Sequence, residues 1–445
     1  MSSNEVKEEN AVKKLISRTW LAPAGAVLAA AAIVAPAAAW ADSAPEPSAT
    51  TVTDASATAD EAAPPKEEAK PRLDIYGAAM LDMGYETKQS DPDWFDVMRP
   101  TKLPAFKDEF GSDGHYYAGV RQSRFGVKGF MPTDLGEIKT IFEFELFGTG
   151  ADAGQTTFRL RHAWGELGQI GAGQTWSPFM DPDVFPNSIE YWGPNSMVFF
   201  RNVQFRWTPW QQGDSNFMIA VERPGASADQ GVYAGHIALQ GVTGRFPLPD
   251  LSAHFRKAGD WGHVQLAGIL REIKWDDNNT ADQFNLSGKA TGWGLNLSSN
   301  LKIAKKHVAR LQLVYGDGIQ NYMNDAPVDV GIESNLSNPV TPVVGKALPL
   351  FGAVAFIDLN WNSKWTSTAG YSYLNIDNSN GQAADAFKRG HYALANLLYY
   401  PTSNIFLGPE IQWGKRENYK DGFTSDDVRI QFSVKYNFKL SVGGK

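Results

Sequence analysis

The chain has 445 residues, of which 41 are basic and 49 acidic, a formal charge of 41 − 49 = −8. That balance is not the basic footprint that nucleic acid attracts, so no nucleic-acid partner is expected. The body of the chain has no run of roughly 20 apolar residues, which excludes a helical membrane protein but leaves a β-barrel, whose alternating strands hide on a hydropathy scale.

Residues 1–41 read as a secretory signal peptide. Lys13, Lys14 and Arg18 supply positive charge, an Ala-rich run from Leu21 to Ala39 supplies the apolar core, and Ala39-Trp40-Ala41 before Asp42 fits an A-x-A cleavage site. Residues 42–71 are Ala, Pro, Ser, Thr and Glu with seven acids against two lysines. Such a segment buries too little apolar surface to fold and is expected to be a disordered periplasmic linker. Removing both segments leaves 35 − 39 = −4 over residues 72–445. Cysteine is absent, which suits an oxidising compartment and removes thiol catalysis and cysteine-bound metals.

From Arg72 the pattern changes to period two, the signature of strands. Leu73, Ile75, Gly77, Ala79, Leu81 and Met83 alternate with Asp74, Tyr76 and Asp82. Ile138, Thr140, Phe142 and Phe144 alternate with Lys139, Glu143 and Glu145. Trp293, Leu295 and Leu297 alternate with Asn296 and Ser298, and Val428 through Phe438 alternate with Arg429 through Asn437. Many such segments run ten residues or so, the length of a tilted membrane strand rather than a short soluble one.

Connections alternate between short and long. Short turns fall near 132–136, 168–169, 211–214, 258–262, 304–306, 364–366 and 401–404. Long loops fall near 87–114, 149–156, 177–200, 224–249, 276–290, 316–350, 378–389 and 417–425. These connections predict an all-β fold, a 16-stranded antiparallel transmembrane β-barrel over residues 72–438, closed because no strand edge stays unpaired in lipid. Trp207, Trp210, Trp261, Trp361, Trp365, Tyr399 and Tyr400 lie beside short turns, and Trp275, Tyr315 and Tyr322 toward long loops. Two aromatic girdles are expected there.

Parity then sorts the charges. Arg124, Arg159, Arg161, Arg206, Arg256, Arg271, Arg310, Arg429 and Lys435 lie opposite in parity to apolar neighbours and are expected to face a water-filled lumen. An arginine on the lipid side at mid-bilayer would cost roughly 2–4 kcal/mol. A bland alternative is that they pair with Glu143, Glu145, Glu222 and Glu410 to satisfy lumen charge.

The stretch Arg121-Gln-Ser-Arg-Phe-Gly-Val-Lys-Gly129 resembles the second strand of trimeric porins. Thr157-Phe-Arg-Leu-Arg-His-Ala-Trp-Gly165, Gly173-Gln-Thr-Trp-Ser-Pro178, Phe179-Met-Asp-Pro-Asp183 and Phe200-Arg-Asn-Val-Gln-Phe-Arg-Trp-Thr-Pro209 are similar to the DcaP-like trimeric porins. The motifs cover about residues 115–210. The resemblance implies a homotrimeric pore in the outer membrane of a Gram-negative bacterium, in contact with outer-membrane lipid, whose loop after the fifth strand folds inward and narrows the lumen. It implies that Arg201 lines the pore, whereas parity with Val203 points it outward. On the inward loop, Asp181, Asp183 and Glu190 are expected to face the arginines across a constriction, stiffened by Pro178, Pro182, Pro186 and Pro194.

The functional expectation is therefore passive diffusion of small hydrophilic solutes, with a preference for small anions such as carboxylates; the resemblance suggests dicarboxylates. A guanidinium stays charged and grips a carboxylate in two places. A surface-display or adhesion barrel is the alternative, supported by long loops 224–249 and 316–350. An outer-membrane barrel enzyme is the other. The seven histidines are scattered without a nucleophile–base constellation, so no catalytic residue, metal or cofactor is expected. One departure from barrel practice is the end: Phe438 stands where such chains usually stop, and residues 439–445 follow as a short tail.

Overall fold

A computed structural model describes residues 70–234, 239 and 241–444. The expected signal peptide, most of the linker and His236 lie outside the described residues.

Sixteen antiparallel strands close on themselves. In chain order they are β1 (Arg72–Glu86), β2 (His115–Gly119 continued by Arg124–Thr133), β3 (Gly136–Phe147), β4 (Thr156–Leu167), β5 (Ile170–Trp176) and β6 (Arg201–Gln212). Next come β7 (Ser215–Glu222), β8 (Val242–Arg245 continued by Asp250–Gly259), β9 (Gly262–Asp277), β10 (Gly288–Ile303) and β11 (His307–Asp317). The last five are β12 (Pro349–Asn362), β13 (Trp365–Ile376), β14 (Phe387–Asn396 continued by Leu398–Thr402), β15 (Ile405–Asn418) and β16 (Thr424–Gly443). Each strand pairs with its neighbours in sequence, and β16 returns to β1 in one unbroken register from Arg72↔Gly443 to Glu86↔Arg429. Closure satisfies the backbone without an edge, which lipid requires. No helix among the described residues is long and apolar enough to cross a membrane.

The pleat sorts the side chains as the alternation predicts. Leu73, Leu81, Phe125, Phe142, Phe158, Leu266, Leu270, Leu295, Leu313, Ile411 and Ile430 are all exposed on the outside. Their neighbours Asp82, Glu143, Glu145, Gln265, Asn296, Gln312, Gln412 and Gln431 are buried on the inside. Short turns are tight: Gly168 and Gly213 take positive φ at 58° and 57°, where a β-carbon would be strained. Trp207, Trp210, Trp261, Trp361, Trp365 and Tyr315 stand exposed on the outer face. Three girdle expectations are corrected. Trp275 and Tyr322 are buried, and Tyr400 is half-buried against Asn187, because their positions face loops folded over the barrel's inner side.

The predicted tail is corrected as well. Residues 439–443 continue β16, pairing Lys439 with Tyr76 and Val442 with Leu73. Leu440 and Val442 keep the outward apolar parity, so the strand extends as far as β1 has residues to pair.

A large apolar cluster sits on the inner side of β9 to β14. Ala267, Ile269, Val314, Val354, Phe356, Leu374 and Leu394 pack there against Phe179, Met180, Val184, Met197 and Val198 of the loop after β5, with Met98, Ile319, Tyr322 and Met323 from two other loops.

Candidate functional site

Polar chemistry gathers on the opposite inner wall, β1 to β6. Glu143 and Glu145 project inward from β3, and four arginines converge on them. Arg161 of β4 lies 2.5 Å from Glu143 and 2.6 Å from Glu145. Arg124 of β2 lies 3.6 Å from each carboxylate. Arg159 of β4 and Arg201, the first residue of β6, are each 3.6 Å from Glu145. Four guanidinium groups against two carboxylates leave a surplus of 4 − 2 = 2 positive charges. Tyr76 donates its hydroxyl to Glu143 at 2.7 Å, and Tyr191 bonds Glu145.

The cluster is layered by exposure. Arg161 is nearly buried, with a side chain 7% exposed, and neutralises the glutamates. Arg124 and Arg159 keep 34% and 29% of their side chains exposed, so their charge reaches the interior space. Arg201 turns inward against its parity, but its side chain is only 4% exposed, so it is buried within the cluster. It starts its strand beside the loop, and its guanidinium sits over the rings of Trp176 and Phe199 at 4.9 and 5.8 Å.

A β-bulge builds this site. Glu143 pairs with His162 but Phe144 pairs with Leu160, so Arg161 is an extra residue in β4. A bulge reverses parity beyond itself. Arg161 and His162 are therefore both buried, at 5% and 6% exposure, and Trp164 turns inward too. Arg206 then stacks over Trp164 at 4.4 Å and faces Glu166 at 3.6 Å.

The remaining arginines face inward but do different work. Arg310 bonds Asp358 at 2.5 Å and the Asp183 carbonyl. Arg256 bonds Asp181 at 3.2 Å and also Asp183. Arg271 and Arg429 require a correction, because parity gives the face of a side chain and not its access to water. Arg271 is buried between Asp250 and Asp329, at 2.9 Å from each, and bonds the carbonyls of Gly318 and Gly225. It clamps two loops to β8 and β9. Arg429 is wholly buried, 3.0 Å from Glu86 and over the Tyr117 ring at 5.3 Å.

Residues 177–200 are tied to inward side chains around half the barrel. The Phe179 carbonyl accepts from Asn296, the Met180 carbonyl from Gln265, and the Ser196 carbonyl from Gln312. Asn187 donates its backbone N–H to Asp358 at 3.2 Å, and Ile189 and Glu190 donate theirs to Glu410 at 3.0 Å. Of the three acids expected to face arginines, only Asp183 is half-exposed. Asp181 is an anchor, accepting from Ser298 and lying 2.7 Å from His263. Burial alone raises its carboxyl, yet the His263 and Ser298 bonds and the Arg256 charge outweigh it and hold the group below its ordinary value. Glu190 meets no arginine in an ion pair among the described residues. It accepts from Met98 N–H at 3.0 Å and the Tyr392 hydroxyl at 3.2 Å, and burial pushes its carboxyl up to about 8.

Several participants escaped the parity argument. Arg121, just before the strand, bonds Asp96 at 2.5 Å and the carbonyls of Gly148 and Gln155. Arg99 is sandwiched between Trp94 and Trp192, at 4.0 and 4.3 Å, and bonds Asp325 at 2.9 Å. Both lie in irregular segments where period two has no meaning. Among the described histidines, His162 meets Thr175, His254 Asn216 and His391 Tyr371, whereas His263 and His115 meet the carboxylates of Asp181 and Glu86.

Comparison with known proteins agrees with this architecture. No curated protein matches the sequence. The outer membrane channel DcaP of Acinetobacter baumannii superposes with a TM-score of 0.66 at 20% identity, covering 82% of this chain and 97% of that one. The anion-selective porin from Comamonas acidovorans superposes at 0.53 with 10% identity, covering 83% of this chain and all of that one, 100%. The model of the DcaP outer membrane protein family matches residues 69–438. Because that match spans nearly the whole barrel, the chain belongs to the DcaP outer membrane protein family and resides in the outer membrane of a Gram-negative bacterium.

Proposed function

We propose that this barrel is a passive pore that favours small anions such as carboxylates, and that it works as a homotrimer. The observation that carries the reading is the surplus of arginine around Glu143 and Glu145, with Arg124 and Arg159 still accessible. Residues 177–200 pack on the inner side of β9 to β14 and reach the basic wall through Tyr191, which bonds Glu145, and Phe199, under Arg201, so the passage is narrowed beside a one-sided positive field. Arg206, Arg256 and Arg310 are each matched by at least one carboxylate, so the positive excess is concentrated at the Glu143–Glu145 cluster. The two structural neighbours described as a channel and as an anion-selective porin support the assignment by their own descriptions.

Display of the long loops is less favoured by what those loops bond. Val330 bridges Ala228, Met323 bridges Val198, and Arg271 holds the Gly318 and Gly225 carbonyls, so the loops fold over the barrel mouth.

The test is planar-bilayer conductance of the purified protein under a salt gradient. Channels should insert in groups of three with a reversal potential showing anion preference. The double variant Arg124→Ala/Arg159→Ala should lose most of that preference while the barrel stays folded by heat-modified mobility. An unchanged reversal potential would discard the arginine lining, and no channels from folded protein would discard the pore.

A further inference from the structure

Five loops and one strand meet at a cavity of about 300 Å³ on the loop side of the barrel. Its lining includes Tyr191, Trp192, Phe199 and Phe200 from the loop after β5, Arg159 from β4, and Gln320. The four aromatic residues are half-buried, so ring surface is left facing the cavity. Their positions are held: Tyr191 stacks on Phe147 at 3.9 Å, Trp192 donates to the Asn324 carbonyl at 2.7 Å, and Phe200 packs on Tyr322 at 4.6 Å.

Two polar groups in this lining are under-used. Arg159 has one long ion pair, 3.6 Å to Glu145, and Glu145 is already claimed by Arg161 at 2.6 Å. The remaining contact of Arg159 is a long bond to the Tyr191 hydroxyl at 3.4 Å. Gln320 is 1% exposed; its amide N–H bonds the Leu348 carbonyl, but its Oε1 has no partner among the described residues. A buried acceptor without a donor is a standing cost to the fold, which a donor brought by a ligand relieves.

We propose that this cavity is a vestibular subsite for a single-ring organic carboxylate that also carries a hydroxyl. The carboxylate lies on Arg159, the flat ring lies among the aromatic side chains, and the hydroxyl donates to Gln320 Oε1. A small open-chain acid would use Arg159 alone and leave the rings and Gln320 unused. The volume lies at the lower end for small-molecule sites and suits one ring. The inference rests on the proposed pore only for the role of Arg159. It adds a recognition step before the constriction, which slows passage of the retained solute relative to a small ion.

Binding is separable from conduction, so the test is calorimetric titration of the folded protein in detergent with 4-hydroxybenzoate, benzoate and acetate. The expected order is 4-hydroxybenzoate, then benzoate, then acetate, with at least a tenfold span. Arg159→Gln should weaken both ring acids at least tenfold, and Phe200→Leu should weaken them while leaving acetate unchanged. Heat-modified mobility checks that each variant is folded. Equal binding of benzoate and acetate, or full binding by Arg159→Gln, would overturn the subsite even if the protein conducts anions normally. If the protein binds 4-hydroxybenzoate in this order yet forms no channels, the subsite stands and the pore reading fails.

Discussion

Arg161 and Arg159 are two residues apart, share a strand face and have different jobs. Arg161 is buried between two carboxylates at hydrogen-bond distance, whereas Arg159 stands at 3.6 Å from one of them and remains 29% exposed. In a site of low dielectric the first supports structure and the second projects charge. Removing one partner of a buried pair leaves the other charge uncompensated, which costs about 3–5 kcal/mol. Arg271→Ala is therefore expected to strand Asp250 and Asp329 and free two loops. Limited proteolysis should cut within residues 318–348 of the variant and spare the parent, while ion selectivity changes little.

At the scale of elements, the loop after β5 is fastened at intervals by buried acceptors. Deleting residues 181–195 removes the Asp181 and Glu190 anchors together and opens the inner half of the barrel. Single-channel conductance is expected to rise; unchanged conductance would place that segment away from the passage. The Glu190 anchor also carries a pH signature. Burial raises its carboxyl from an ordinary 4.5 to about 8, so the folded protein holds a proton that the unfolded chain has released. Its contribution to stability is full below about 4.5 and is lost as pH rises through about 8. The unfolding midpoint read by heat-modified mobility should fall between about pH 5 and 8, and the fall should be shallower in Glu190→Gln.

The bulge in β4 shows what an element can hide. Strict alternation from Phe158 sends His162 and Trp164 to lipid, but the extra residue at Arg161 brings both inside. Nothing in the residue types of β4 announces the bulge, since it is set by the register against β3.

For the whole molecule, closure is the dominating constraint. The last rungs, Tyr76↔Lys439 to Arg72↔Gly443, belong to the seam between the first strand and the last. Truncation after Phe438 leaves those backbone groups of β1 unpaired on the β16 side. The truncated barrel is expected to lose its heat resistance at a lower temperature than the full chain. An identical transition would mean that those rungs add nothing to the seam.

The sequence by itself determined the strand number, the turn–loop alternation, and which face of most strands meets lipid. These follow from local rules: period-two pleating, turn chemistry at residues such as Gly168 and Gly213, and the cost of a charge in hydrocarbon. The convergence of Arg124, Arg159 and Arg161 was legible in part, because parity turned all three inward. Only the tertiary structure decided which inward arginines are accessible. Parity is a property of one strand, whereas the burial of Arg271 and Arg429, the inward turn of Arg201 and the packing of residues 177–200 depend on segments far apart in the chain. Loops carry no periodicity from which to read a destination. Asp181 and Glu190, expected to shape a field, became anchors because the loop met Ser298, His263 and Tyr392 across the barrel, contacts that no local pattern encodes.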